Sequence, residues 1–275
     1  MIVSFHPIFK ADRNIICAGR QPTTDDRLAI QAADAVILPQ GCSQSLYRLV
    51  RQNCAHVFPN YDTRFGYPDK ISQIRLFQES NVNYPKTEIF RTVEAFRAKF
   101  NGISKKFPFP FLFKFNWGGE GETVFLIRTA NQLQKIIQKA ADYERTNQRG
   151  FILQEYIHNS NRTLRVAVIG QKRISYWRVQ ESPECFQASL AKGAIIDTDT
   201  DHELQEMAIS ETNEFCSKTK IDLAGFDIIF SDKNEAYFLE INYFFGRRGL
   251  GGSEKYYQIL IEEINNWLNR IAKGF

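Results

Sequence analysis

No stretch of this 275-residue chain is long and apolar enough to cross a bilayer as a helix. The opening MIVSFHPIFKADR lacks the basic start, apolar segment and small-residue cleavage site of a secretory leader. Cysteine is scarce and unpatterned. Cys17, Cys42, Cys54, Cys185 and Cys216 are odd in number and show no CxxC spacing. A disulfide framework is therefore excluded, and a reducing, cytoplasmic setting is expected. The four histidines are scattered without metal-ligand spacing. Neither GxxxxGK[ST] nor a GxGxxG leading into a helix is present, so the P-loop and the dinucleotide fingerprint are both ruled out. No Ser/His/Asp or Cys/His set can be placed. A net charge of +4 without a dense Lys/Arg run makes nucleic acid and membrane unexpected partners, while leaving an anionic ligand compatible.

What the chain does contain is an ordinary globular balance, 43% hydrophobic and 24% charged, with aromatics at 13% to fill a core. Its most informative stretch is AGFDIIFSDKNEAYFLEINYFFG, from Ala224 to Gly246. Two runs rich in β-branched and aromatic residues flank the polar turn Ser231–Glu235, which predicts a hairpin. Pairing Ser231 with Ala236 puts Phe226, Ile228 and Phe230 with Ile241, Leu239 and Tyr237 on one apolar side. The other side then carries Asp227 directly opposite Glu240, with Asn242 two residues along. Like charges placed opposite each other repel, and a divalent cation reverses the sign of that effect. Asp227, Glu240 and Asn242 thus read as a hard-metal site. A solvated hairpin face is the alternative, and Ile229 and Phe238 on the same face argue against it.

Residues 1–66 alternate short strands (Ile2–Phe5, Asn14–Ala18, Asp34–Pro39, His56–Pro59) with helices (Arg27–Ala33, Ser43–Asn53), predicting a small, mostly parallel α/β unit. Asp69 is expected to cap a helix striped by Ile71, Ile74 and Phe77. A polar helix around Val93–Phe100 follows. FLFKFNWGGEGETVFLI then reads as strand, glycine turn and strand, with Lys114 on the first strand and Gly118, Gly119, Glu120 and Gly121 in the turn. Such a turn lets backbone N–H groups approach an anion, though a plain flexible tip has the same composition. Asn131–Ala141 is helical and Phe151–Ile157 is a strand, whose segment Gln154, Glu155, Tyr156 and Ile157 can offer backbone groups to a flat ring. Thr163–Ile169 and Arg173–Val179 form a hairpin carrying Arg165 and Arg178, suited to a phosphate or carboxylate or to an exposed face. Ser189, Lys192 and Gly193 make a polar turn that can add to the same site, and Arg247 and Arg248 follow the metal hairpin. Helices over His202–Lys218 and Glu254–Ala272 complete the chain.

The order of these pieces resembles the ATP-grasp superfamily, most closely its glutathione-synthetase and RimK-like ligase branch, over Tyr67 to the C-terminus. AGFDIIF…AYFLEINYFFG looks like the family's aGvDil…vlEvNxxPG. The resemblance implies an α/β (α+β) architecture of two lobes clasping ATP, at about 67–157 and 158–275, behind a small pre-ATP-grasp-like domain at 1–66. It implies ATP and Mg²⁺ (or Mn²⁺) as cofactors. Lys70 and Lys114 would contact phosphates, Gln154–Ile157 the adenine, and Asp227, Glu240 and Asn242 the metal. Arg165 and Arg178 would be catalytic. The implied partners are small-molecule or peptide carboxylates and amines, and a homo-oligomer stays open. Thr163 stands where the family has an acid, Ser189 where it has asparagine, Ala194 where it has glycine and Phe245 where it has proline. Two functions follow as expectations: a carboxylate–amine (or thiol) ligase using an acyl phosphate, or an ATP-binding module without that chemistry.

Overall fold

The computed structural model describes residues 1–119, 121–182 and 185–274, with the backbone alone for 100–106. Glu120 of the glycine turn lies outside the described residues, as does the side chain of Phe100 at the end of the polar helix.

The chain opens with a parallel sheet. Strands β1 (Ile2–Ser4), β2 (Arg13–Asn14), β3 (Ala35–Ile37) and β4 (Val57–Phe58) lie in the order β2-β1-β3-β4. Helix α1 (Thr24–Gln31) starts at a capping box, in which the Thr23 hydroxyl accepts from the Asp26 amide and the Asp26 carboxylate accepts from the Thr23 amide. Helix α2 (Gln44–Asn53) starts at the Ser43 cap. A one-turn helix, α3 (Asp62–Gly66), ends this portion. The strand expected over 14–18 is cut short. Ile15 makes one more ladder bond to Ser4, and then the chain turns through Ala18 and Gly19, both at positive φ, leaving Ile16 exposed.

Helix α4 (Lys70–Glu79) begins at the Asp69 cap, reinforced by Ser72, and buries Ile71, Ile74 and Phe77. An antiparallel sheet follows, built from β5 (Thr87–Phe90), β6 (Phe111–Phe115), β7 (Val124–Ile127) and β8 (Phe151–Glu155) in the order β5-β8-β6-β7. Helices α5 (Val93–Lys106) and α6 (Ala130–Arg145) pack against this sheet. Period-two alternation sorts β6: Phe111, Phe113 and Phe115 join a phenylalanine-rich core with Phe90, Phe96 and Phe151. Leu112 and Lys114 therefore point to the opposite face.

The largest sheet is antiparallel, in the order β11-β10-β9-β12-β13. Its strands are β9 (Arg162–Ile169), β10 (Lys172–Val179), β11 (Ile195–Asp197), β12 (Leu223–Phe230) and β13 (Ala236–Asn242). Helices α7 (His202–Thr219) and α8 (Gly252–Ala272) flank it. The predicted register is kept where it meets the site: Phe226 pairs with Ile241 and Asp227 with Glu240. Beyond Asp227 it shifts by one, so Ile228 pairs with Phe238 and Phe230 with Ala236. The extra residue is Leu239. This bulge turns Phe238 into the core against Phe77 and Phe215 and moves Leu239 to the cavity wall, reversing the expected faces of both.

Candidate active site

Asp227, at the middle of β12, is the centre of the charged cluster. Its neighbour across β9 is Arg165 and its neighbour across β13 is Glu240. The Arg165 guanidinium grips it with two bonds, Nε to Oδ1 at 2.6 Å and Nη2 to Oδ2 at 3.1 Å. Arg178 Nη2 lies 2.7 Å from Oδ1, and Asn242 Nδ2 donates to Oδ2 at 3.0 Å. Each carboxylate oxygen thus serves two donors, which fills its lone pairs. Burial pushes the Asp227 carboxyl up, but Arg165 and Arg178 outweigh it and hold the group below its ordinary value. Gly225 makes room for this arrangement: a Cβ there would meet Phe245 Cβ at 2.8 Å and Arg165 Nη1 at 2.9 Å.

The cluster floors a cavity of about 280 Å³ between the two antiparallel sheets. From the smaller sheet come Leu112, Lys114 and Val124, and from the larger come Arg165, Arg178, Asp227, Leu239, Glu240 and Asn242. Glu155, Tyr156 and Ile157 join the two, and Gly121 of the glycine turn also lines the space. Two charged groups inside it lack a direct partner among the described residues. Lys114 is only 8% exposed and has no hydrogen-bond or ion-pair partner among the described residues. Burial lowers its ammonium to about 8. Glu240 likewise has no such partner, and burial raises its carboxyl, with Lys70 the largest opposing influence.

The remaining expected residues sit beside the cavity rather than on its wall. Lys70 donates to the carbonyls of Trp117 at 3.1 Å and Gly118 at 2.8 Å, so it ties α4 to the glycine turn. Gly118 and Gly119 are on that turn but do not line the space. Gln154 is fully buried: its Nε2 donates to Thr87 Oγ1 at 2.9 Å, and its Oε1 has no partner among the described residues. Residues that sequence reasoning passed over include Gln187, whose Nε2 donates to the carbonyls of Gly121 at 3.0 Å and Val124 at 3.2 Å, tying the glycine turn to the opposite lobe. Tyr176, Phe186 and Phe244 are further wall residues without a prior signal. A lone glutamine or phenylalanine in a loop carries none.

A RimK-like ATP-grasp domain matches residues 68–268. The protein belongs to that family. Among solved structures, the ATP-grasp chain resembles a RimK domain protein from Sphaerobacter thermophilus, with 14% identity, 96% of this chain and 99% of that one covered and a TM-score of 0.57. It resembles a D-alanine–D-alanine ligase from Bacillus anthracis complexed with ATP, with 14% identity, 90% and 86% covered and a TM-score of 0.61. It also resembles the ADP complex of N5-carboxyaminoimidazole ribonucleotide synthetase (purK), with 11% identity, 88% of this chain covered and a TM-score of 0.59. The chain spans 62% of that longer protein. No curated protein sequence matches it. At these identities the likeness is one of fold.

The donor chemistry of this ATP-grasp cleft suits a hard cation. Among the described residues no three His, Cys, Asp or Glu side chains cluster as metal ligands, so a cation held by Asp227 and Glu240 would need the Asn242 amide oxygen as its third protein donor. Glu240 and Asn242 offer free oxygens. Asp227 offers one only after releasing Arg178, Asn242 or one Arg165 bond.

Proposed function

We propose that the cleft is an ATP- and Mg²⁺-dependent ligase site joining a carboxylate to an amine (or thiol). The observation that carries this reading is the pair of buried Lys114 and half-buried Glu240 on the cavity wall, which attract each other but have no hydrogen-bond or ion-pair partner among the described residues. A buried charge without a direct hydrogen-bonded partner is costly unless a ligand completes it. A polyanion bound with a cation satisfies both at once. Lys114 would hold the phosphates, with the glycine-turn amides of Gly118, Gly119 and Gly121 closing over them and Lys70 fixing the turn. The backbone of Glu155–Ile157 would receive the adenine, with Gln154 supporting the strand beneath. Mg²⁺ on Glu240, Asn242 and Asp227 would supply charge neutralisation between the phosphates.

The chemistry then asks for positioning rather than proton transfer. A carboxylate oxygen bonds to the γ-phosphorus, the bond to the bridging oxygen breaks and ADP leaves. The amine nitrogen then bonds to the acyl carbon, phosphate departs and a proton is released. Arg178 is assigned to the transferred phosphoryl and the oxyanion. Among the described residues it holds Asp227 through one nitrogen, Nη2, and its buried Nε has no partner. Arg165, fixed by two bonds to Asp227, orients the cluster and the donor carboxylate. We also propose that residues 1–66 form the unit that completes the substrate side.

The test is release of ADP and phosphate in the presence of a pool of amino acids and small dicarboxylates. Acceptor-stimulated release supports the ligase. The saturated Asp227 favours a second reading, an ATP-binding module without turnover. Nucleotide binding with no stimulation by any acceptor would select it.

A further inference from the structure

One line of side chains crosses the larger sheet. Tyr176 of β10 stands opposite Arg165 of β9, Arg165 opposite Asp227 of β12, and Asp227 opposite Glu240 of β13. Directly opposed residues share a face, and all four line the cavity. Three strand spacings separate the two ends of the line, about 14 Å at the backbone. The cation of the ligase reading belongs to the Asp227 and Glu240 half. Tyr176 marks the other end, the side left for a substrate.

The hydroxyl at that end is free. Tyr176 is 1% exposed, yet its oxygen has no hydrogen-bond partner among the described residues. The Tyr61 and Tyr256 oxygens also lack one, but they are sealed inside the core. The Tyr176 oxygen is not sealed, and its residue is on the cavity wall. The ring itself is fixed. It belongs to the same buried cluster as Phe245, Leu250 and Tyr256. Gly249 lies against its hydroxyl end, where a Cβ would fall 2.3 Å from Cζ and 2.4 Å from Cε1 and Cε2. Burial pushes the phenol up against the pull of Arg165 and Arg178, so at neutral pH it keeps its proton and offers an O–H. Arg178 is its neighbour along β10, two residues on, on the same face and on the same cavity wall, about 7 Å away at the backbone. A carboxyl group has two oxygens, so it can accept from a guanidinium on one and from a hydroxyl on the other.

We propose that the Tyr176 hydroxyl donates a hydrogen bond to the carboxylate substrate, sharing that group with Arg178. The proposal rests on the ligase reading and deepens it. It assigns Tyr176 to the acid that is to be activated, and not to the nucleotide, and it places that acid at the end of the line away from the cation.

The experiment gives the full chain ATP, Mg²⁺ and hydroxylamine in place of the amine, and measures the hydroxamate formed from single amino acids and from small dicarboxylates such as succinate. The hydroxylamine nitrogen bonds to the acyl carbon of the acyl phosphate, phosphate departs and a proton is released, so the readout follows the carboxylate. With the carboxylate that reacts best, Tyr176→Phe is expected to lower kcat/KM for that carboxylate about tenfold or more, the loss of one hydrogen bond to a charged group. The KM for ATP should stay at its wild-type value. Melting should stay at or above the wild type, because the deleted oxygen has no partner among the described residues. A merely structural tyrosine would not split the two substrates in this way. A raised KM for ATP with an unchanged carboxylate kcat/KM would assign the hydroxyl to the nucleotide and overturn the proposal. A carboxylate kcat/KM in Tyr176→Phe equal to the wild type would also overturn it, with the ligase reading intact. No hydroxamate from the wild type with any of these acids, while ADP binds, would remove the ligase reading and the assignment with it.

Discussion

Asp227, Lys114 and Glu240 differ in what their charges do, and the three substitutions should separate. Asp227 neutralises two buried guanidiniums, so Asp227→Ala leaves Arg165 and Arg178 uncompensated. A loss of about 3–5 kcal/mol in urea unfolding is expected, the usual cost of breaking a buried ion pair from one side. Glu240 is the reverse case. Its folded-state value is raised above 4.5, so its contribution to stability falls as pH rises through that window and is unfavourable at neutral pH. Glu240→Gln should therefore melt at or above the wild type at pH 7 while losing metal-dependent nucleotide binding. Lys114 has a folded value of about 8 against 10.5 when unfolded. The unfolded chain then binds more protons between those values, and stability should rise with pH across them. Phosphates would restore the proton, so ADP binding at pH 9 should take one up, read as a buffer-dependent enthalpy that Lys114→Met abolishes.

The hairpin of β12 and β13 shows how much of an element sequence pattern can carry. Pairing of Asp227 with Glu240 was legible because side chains alternate and the charged face is distinct. The bulge at Leu239 was not, because Phe238 and Leu239 are both apolar and either fits the core by pattern; contact of Phe238 with Phe77 and Phe215 decides. Lys114 was legible through period two, whereas the Gln187 tie was not, since nothing local links residue 187 to the turn at 121. Gln187→Ala should loosen that tie, raising amide hydrogen exchange over 121–124 and speeding release of bound ADP. Unchanged exchange would show that the turn is held by Lys70 and its own hydrogen bonds. Gly225→Ala should displace Arg165 or Phe245, lowering turnover well beyond any change in ADP affinity.

At the scale of the whole molecule, one core ignores the sheet boundaries. Val3, Val36 and Tyr61 of the first sheet's layer belong to the same buried cluster as Ile71, Phe77, Phe226 and Phe238. Unfolding should therefore be a single cooperative transition, with 67–275 alone exposing Tyr61's partners and aggregating; two separated melting steps would contradict it. The order of elements, and with it the ATP-grasp family, could be read from the chain, because each lobe keeps its own pattern of alternation and turns. The joint of residues 1–66 with the rest could not, since contacts such as Gln40 with Tyr243 span 203 positions and leave no local trace. The central claim is that a magnesium nucleotide completes the buried charges of the cleft. Calorimetric titration of ADP with and without Mg²⁺, in wild type and Glu240→Gln, tests it most directly. Mg²⁺ should tighten ADP about tenfold or more in the wild type and leave the correctly folded variant unaffected. An equal Mg²⁺ effect in both proteins, or no ADP binding to the wild type, would contradict it.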